Sequence, residues 1–158
     1  MITLVSCSSV EDPLIAVELD MGTSEKYQEA EIGISAFWFL ERSESGNLGG
    51  SIIQQWEGVT FIQDLTIAQI TPVFEESHWE LTTIGVKPQL NLSVFHLGEM
   101  KRVDMPYIEF IELEETVNFQ NDSRYLITIS MDIDNAIIDL DGQLVFDWSH
   151  VSAEINEY

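Results

Sequence analysis

Residues 136–148 read Ala136-Ile137-Ile138-Asp139-Leu140-Asp141-Gly142-Gln143-Leu144-Val145-Phe146-Asp147-Trp148. Two apolar-rich arms flank Asp141-Gly142, a pair suited to the central positions of a type I′ turn, where both residues take positive φ. A two-residue loop pairs Leu140 with Gln143, Ile138 with Val145 and Ile137 with Phe146. The stretch is therefore an antiparallel hairpin, and it sets the reading of everything around it.

Working outward, apolar residues recur with period two, and helical periodicity is nearly absent. Ala30, Ile32, Ile34, Ala36, Trp38 and Leu40 share one face. The opposite face starts Glu29, Glu31, Gly33, Ser35 and turns apolar at Phe37 and Phe39, the pattern of a strand solvated at its start and covered on both faces at its end. Tyr107, Ile111, Leu113, Val117 and Phe119 share a parity against Glu112, Glu114 and Thr116. Tyr125, Ile127, Ile129, Met131 and Ile133 repeat it against Thr128, Ser130, Asp132 and Asp134. Asn121-Asp122-Ser123 links these two acidic-faced strands, which are expected to be neighbours. Lys87-Pro88 is expected to turn a second hairpin between Leu81–Val86 and Leu90–Leu97. The small-residue run Ser43–Ser51 and the stretch Met21–Lys26 read as loops. One short helix is expected at Thr71-Pro72-Val73-Phe74-Glu75-Glu76, with threonine as cap and proline at the first helical position. The expected fold is all-β: a single acidic domain over residues 1–158, an antiparallel β-sandwich or barrel-like domain with at most one short helix.

The chain has 158 residues, with 28 Asp and Glu against six Lys and Arg and three His, a formal net charge of -22. Six bases cannot supply the surface that phosphate neutralisation needs, so direct nucleic-acid binding is not expected. With 45% hydrophobic residues the chain is too apolar for a disordered acidic tail. No apolar run approaches the ~20 residues of a membrane helix. The lone cysteine, Cys7, offers no internal disulfide and no cysteine-based zinc site. Leu4-Val5-Ser6-Cys7 resembles a bacterial lipoprotein box, but the six residues before Cys7 contain no basic region and no apolar core of signal length. The expectation is a first strand at Ile2–Ser6 in an intracellular or virion protein. Residues 103–158 carry 13 acids and one base, Arg124, for a net of −12, and the remainder carries −10. That exceeds what solubility asks of a small domain.

The chemistry-bearing patterns are sparse. Asp132, Asp134, Asp139 and Asp141 are the weak candidates for a metal, Ca²⁺ being the cation that suits clustered hard oxygens. The EF-hand pattern fails, because Ala136 and Ile137 stand at its third ligand and required glycine. His78, His96 and His150 lack metal spacing, and His96 alternates with Leu92 and Val94 as a satisfied core histidine would. Ser35 has Phe37 where a nucleophile elbow needs glycine. Gly46–Gly50 has no lysine to make a phosphate loop. Trp38 and Trp148 alternate like core residues, whereas Trp56 and Trp79 have acidic neighbours and could present a sugar-stacking face.

The expectation is a non-enzymatic structural or assembly subunit without a cofactor, for example a phage or virus decoration or tail-type protein. It would form homo-oligomers or larger assemblies through β-edges and loops. An alternative is an acidic inhibitor or immunity protein, a nucleic-acid mimic that offers Glu112, Glu114, Asp132 and Asp134 to a basic partner protein. A carbohydrate- or calcium-binding β-sandwich module is the third reading.

Overall fold

The computed structural model describes residues 14–22, 24–42, 48–55, 59–63, 67–70, 82–118, 120 and 122–157. The expected strand at Ile2–Ser6, the expected helix at 71–76, Cys7, Trp56 and Trp79 lie outside the described residues. The strands are β1 (Leu14–Asp20), β2 (Glu29–Arg42), β3 (Leu48–Gln55), β4 (Val59–Gln63), β5 (Ile67–Ile70), β6 (Thr82–His96), β7 (Glu99–Arg102), β8 (Ile111–Asn118), β9 (Arg124–Met131), β10 (Ile137–Leu140), β11 (Gln143–Phe146) and β12 (Val151–Glu157). Among the described residues the one α-helix is α1, Ile133–Ala136, and a 3-10 turn spans Trp148–His150.

The chain is all-β. Ten strands form one continuous, curled sheet in the order β3-β2-β6-β8-β12-β9-β1-β5, with β4 also on β2 and β7 also on β6. β10 and β11 form a separate hairpin. The curl brings the inner faces of both halves into one core. Ile15, Val17 and Leu19 of β1 and Ile127 and Ile129 of β9 meet Ile32 and Ile34 of β2 and Leu92 and Val94 of β6, each 1% exposed or less. Burying one such side chain contributes about 1.5–3 kcal/mol. The hairpin joins the same core through Ile137, Leu144 and Phe146.

The Asp141-Gly142 hairpin has the expected register, Leu140↔Gln143, Ile138↔Val145 and Ile137↔Phe146, with φ +55° and +92° at the turn. Elsewhere the sheet departs from the sequence pattern. It is mixed rather than antiparallel throughout, since β1 runs parallel to β9 and β12 parallel to β8. β8 and β9 are not neighbours: β12 lies between them, antiparallel to β9. Lys87-Pro88 makes no turn, because β6 runs unbroken through it. Proline is tolerated there because β8 pairs β6 only as far as Val86 and β7 pairs it only from Ser93. On its other side Pro88 sits near a bulge at Ser35, where the β2–β6 register shifts between Ile34 and Ala36. That bulge reverses the parity of β2, so Phe37 becomes fully buried and Trp38 only half-buried. Leu48-Gly49-Gly50-Ser51 is strand rather than loop, with a second bulge opposite Leu40/Glu41. β8 starts at Ile111, leaving Tyr107 outside it and 82% exposed.

Candidate functional sites

The outer face of the sheet collects carboxylates. In β8 the exposed Glu112 and Glu114 flank the buried Leu113, which pairs with Ala153 of β12. The exposed Ser152 and Glu154 flank Ala153 in turn, and the register carries the row across β9 to β1: Glu154↔Thr128↔Glu18 and Ser152↔Ser130↔Asp20. Strand spacing puts successive members of a row roughly 5 Å apart. The Thr128 hydroxyl donates to Glu18 at 3.3 Å. Asp132 borders this face, sharing a shallow cleft of about 380 Å³ with Asp20, Ser130, His150 and Ser152. Glu112, Glu114 and Asp132 thus lie on or beside one acidic surface. Glu18, Asp20 and Glu154, which the sequence reading missed, belong to it through strand pairings that leave no local trace.

Asp134 is elsewhere. It lies in α1 rather than on an extended β9, and it holds the loop before β2. Its carboxylate accepts from the Ser24 hydroxyl and, at 2.8 Å, from the Glu25 amide, while the Lys26 ammonium donates to its backbone carbonyl at 2.6 Å. Partial burial pushes its pKa up, but the hydrogen bonds from Ser24, Glu25 and Lys26 and the Lys26 charge outweigh that and hold it below the usual 3.8. Asp132 caps α1, accepting from the Asn135 amide at 3.3 Å and the Asn135 side chain at 2.6 Å. Asp139 accepts from the Gly142 amide at 2.7 Å through one oxygen. Its other oxygen lies 3.0 Å from His96 Nε2. These two bonds, Gly142 first, lower the Asp139 pKa. Asp141 serves the turn. Among the described residues no three His, Cys, Asp or Glu side chains converge as a metal site.

His96 is half-buried rather than fully in the core, 5.8 Å from the Tyr27 ring. It immediately precedes the Leu97-Gly98 turn of the β6–β7 hairpin, at φ +52° and +86°. The His96–Asp139 contact therefore ties the tips of two type I′-like hairpins together. Leu97 is 78% exposed, and Leu140 and Ile138, flanking Asp139, are 57% and 42% exposed. A leucine in the left-handed region is strained by roughly 1–2 kcal/mol, and bulky residues rarely occupy it. Among the described residues, the Leu97 side chain gains little burial to repay that cost.

A groove opens on the stretch of β6 that β7 and β8 leave unpaired. One end, about 620 Å³, is lined by Asn91, Lys101, Arg102, Asp104 and Gln143; the other, about 440 Å³, by Trp38, Lys87, Tyr107 and Trp148. The two share Gln89, Leu90 and Met105. The Lys87 ammonium sits 3.9 Å from the Tyr107 ring centre and 5.7 Å from that of Trp38. Trp148 donates its indole N–H to the Pro106 carbonyl at 2.8 Å and packs edge-on against Phe146 at 4.9 Å. Trp38 and Trp148, which alternation assigned to the core, are half-buried groove walls.

No helix among the described residues is long and apolar enough to cross a membrane. No protein-family model matches the chain, and neither a curated protein nor a solved structure resembles it significantly.

Proposed function

We propose that this protein is a non-enzymatic assembly subunit that forms homo-oligomers or larger particles through its paired hairpin tips, in the manner of a phage or virus decoration or tail-type protein. The observation that carries the reading is Leu97. It is a strained, exposed leucine at the β6–β7 tip, which the His96–Asp139 contact links to the β10–β11 hairpin, where exposed Ile138 and Leu140 flank Asp139. An apolar end that gains nothing inside the protomer gains when another copy covers it. The hairpin also supplies a strand edge, since β10 pairs only with β11 among the described residues, whereas the far edge of β11 is engaged by Asp104. Edges of this kind add to a neighbour's sheet.

The Leu97→Asn/Leu140→Asn pair of substitutions tests this. Asparagine accepts positive φ, so the double variant should keep or slightly raise the melting temperature. Its mass by analytical ultracentrifugation should fall from that of the wild-type oligomer to the 18.0 kDa protomer. A folded variant that assembles as the wild type does would remove the hairpin tips from the account.

The acidic face favours a second reading, an inhibitor that docks on a basic partner protein. Glu18, Asp20, Glu112, Glu114 and Glu154 lie on β1, β8 and β12, three of four adjacent strands. Such a field steers a cationic partner and repels copies of itself. This reading predicts a monomer or dimer that binds a basic protein with steep salt dependence, which separates it from a larger assembly.

A further inference from the structure

We infer that the groove along β6 is a binding site for an acidic oligosaccharide, one whose sugar rings carry carboxylates. This inference stands apart from the assembly reading, since the groove and the hairpin tips use different exposed side chains.

The first argument is the placement of positive charge. The chain has six Lys and Arg in all, and three of them, Lys87, Lys101 and Arg102, line this one groove. Among the described residues, Asp104 is the one acid that lines it. Glu99 lies 3.7 Å from the Lys101 ammonium and Asp139 is also within reach of its charge, so these two acids offset much of the Lys101 contribution and leave Lys87 and Arg102 as the main cations. At physiological ionic strength fields decay over about 8 Å, so a ligand in the groove responds to these neighbours more than to the distant acidic face. Arg102 is exposed, and its guanidinium donates to the Asn91 side-chain carbonyl at 3.3 Å. That contact orients the planar fork, which matches a carboxylate.

The second argument is the aromatic end. Tyr107 is 82% exposed, outside any strand, with Lys87 over its ring. The face of a pyranose ring is a set of C–H groups that stacks on such an aromatic surface. The half-buried indoles of Trp38 and Trp148 extend that apolar wall. The third argument is the amide side chains Gln89, Asn91 and Gln143 at the polar end. Each carries both a donor and an acceptor, as a sugar hydroxyl does. An acidic peptide would use the cations equally well, but it has less use for stacked rings and mixed amides. Both volumes fall in the size range of small-molecule sites.

The test is a tryptophan-fluorescence titration of the full chain with trigalacturonate, with maltotriose as the uncharged comparison and hexaglutamate as the peptide comparison. Trigalacturonate should give saturable quenching with an affinity at least tenfold above either comparison. Tyr107→Ala and Lys87→Gln should each weaken it at least tenfold while the melting temperature is retained, because Tyr107 is exposed and Lys87 heads the groove. No saturable change with trigalacturonate would overturn the inference. Equal binding of maltotriose would remove the role of the cations, and tighter binding of hexaglutamate would reassign the groove to an acidic peptide. Retained affinity in both variants would place the sugar elsewhere.

Discussion

Gly85 shows how a single atom can fix a strand pairing. It lies in β6 where the register with β8 shifts between Thr83 and Gly85. A Cβ there would meet the Phe110 ring at 2.3 Å and the Ile111 carbonyl oxygen at 3.1 Å. Phe110 would have to leave its place against β6, and the tight backbone contact would remain. Gly85→Ala should therefore cost about 1–3 kcal/mol, read as a lower midpoint in urea with an unchanged slope. An unaltered midpoint would mean that the Phe110 ring moves freely. At this scale the sequence was legible where residue chemistry is local. Asp141-Gly142 names its own turn, because few residues accept positive φ at both positions. Leu97-Gly98 does the same job with a leucine, which no composition rule flags. The Ser35 bulge has no such mark, so alternation was carried past it and put Trp38 rather than Phe37 on the face that forms the core. Lys87-Pro88 failed for the reverse reason: proline signals a turn only where a ladder bond is required.

Among elements, α1 and the loop before β2 are joined by Asp134, and the joint is pH-dependent. The Asp134 pKa is lowered below 3.8 in the folded chain. A group depressed in this way stabilises the fold above its unfolded value, and the contribution is lost as the pH falls through the lower, folded value. Asp134→Asn should accordingly be less stable than the parent at pH 7, by about 1 kcal/mol as befits a charged hydrogen bond near the surface. The gap should narrow as the pH is taken below 3.8, where the parent carboxylate also becomes neutral. Thermal melts of both proteins across this range check it; a gap that stays constant with pH would show that the carboxylate charge contributes nothing. Sequence spacing could not find this joint, because Ser24 and Asp134 are 110 residues apart. The same holds for the sheet. Alternation identified the acidic outer face of β8 and the buried face of β9, yet not the insertion of β12 between them or the parallel approach of β1. Strand order is decided by which inner faces complete a common core, a property of the whole chain.

For the molecule as a whole, a net charge of -22 opposes any close approach of two copies. The hairpin tips supply an apolar contact at which that opposition can be overcome, and screening of the acidic face should help. The fold class was readable from alternation and the acidic character from composition, and the assembly proposal starts from both. The particular surface was not, since the tip that carries Leu97 and the hairpin that carries Ile138 and Leu140 are joined through the long-range His96–Asp139 contact. The groove was equally hidden, because its three cations come from two strands and its rings from three separate segments. The most direct measurement is absolute molar mass by light scattering after size exclusion, at low and high salt. Assembly through the hairpin tips should give a discrete multiple of 18.0 kDa that is more populated at high salt. A clean 18.0 kDa monomer at both salts would contradict it and leave the acidic face, with a basic partner, as the functional surface.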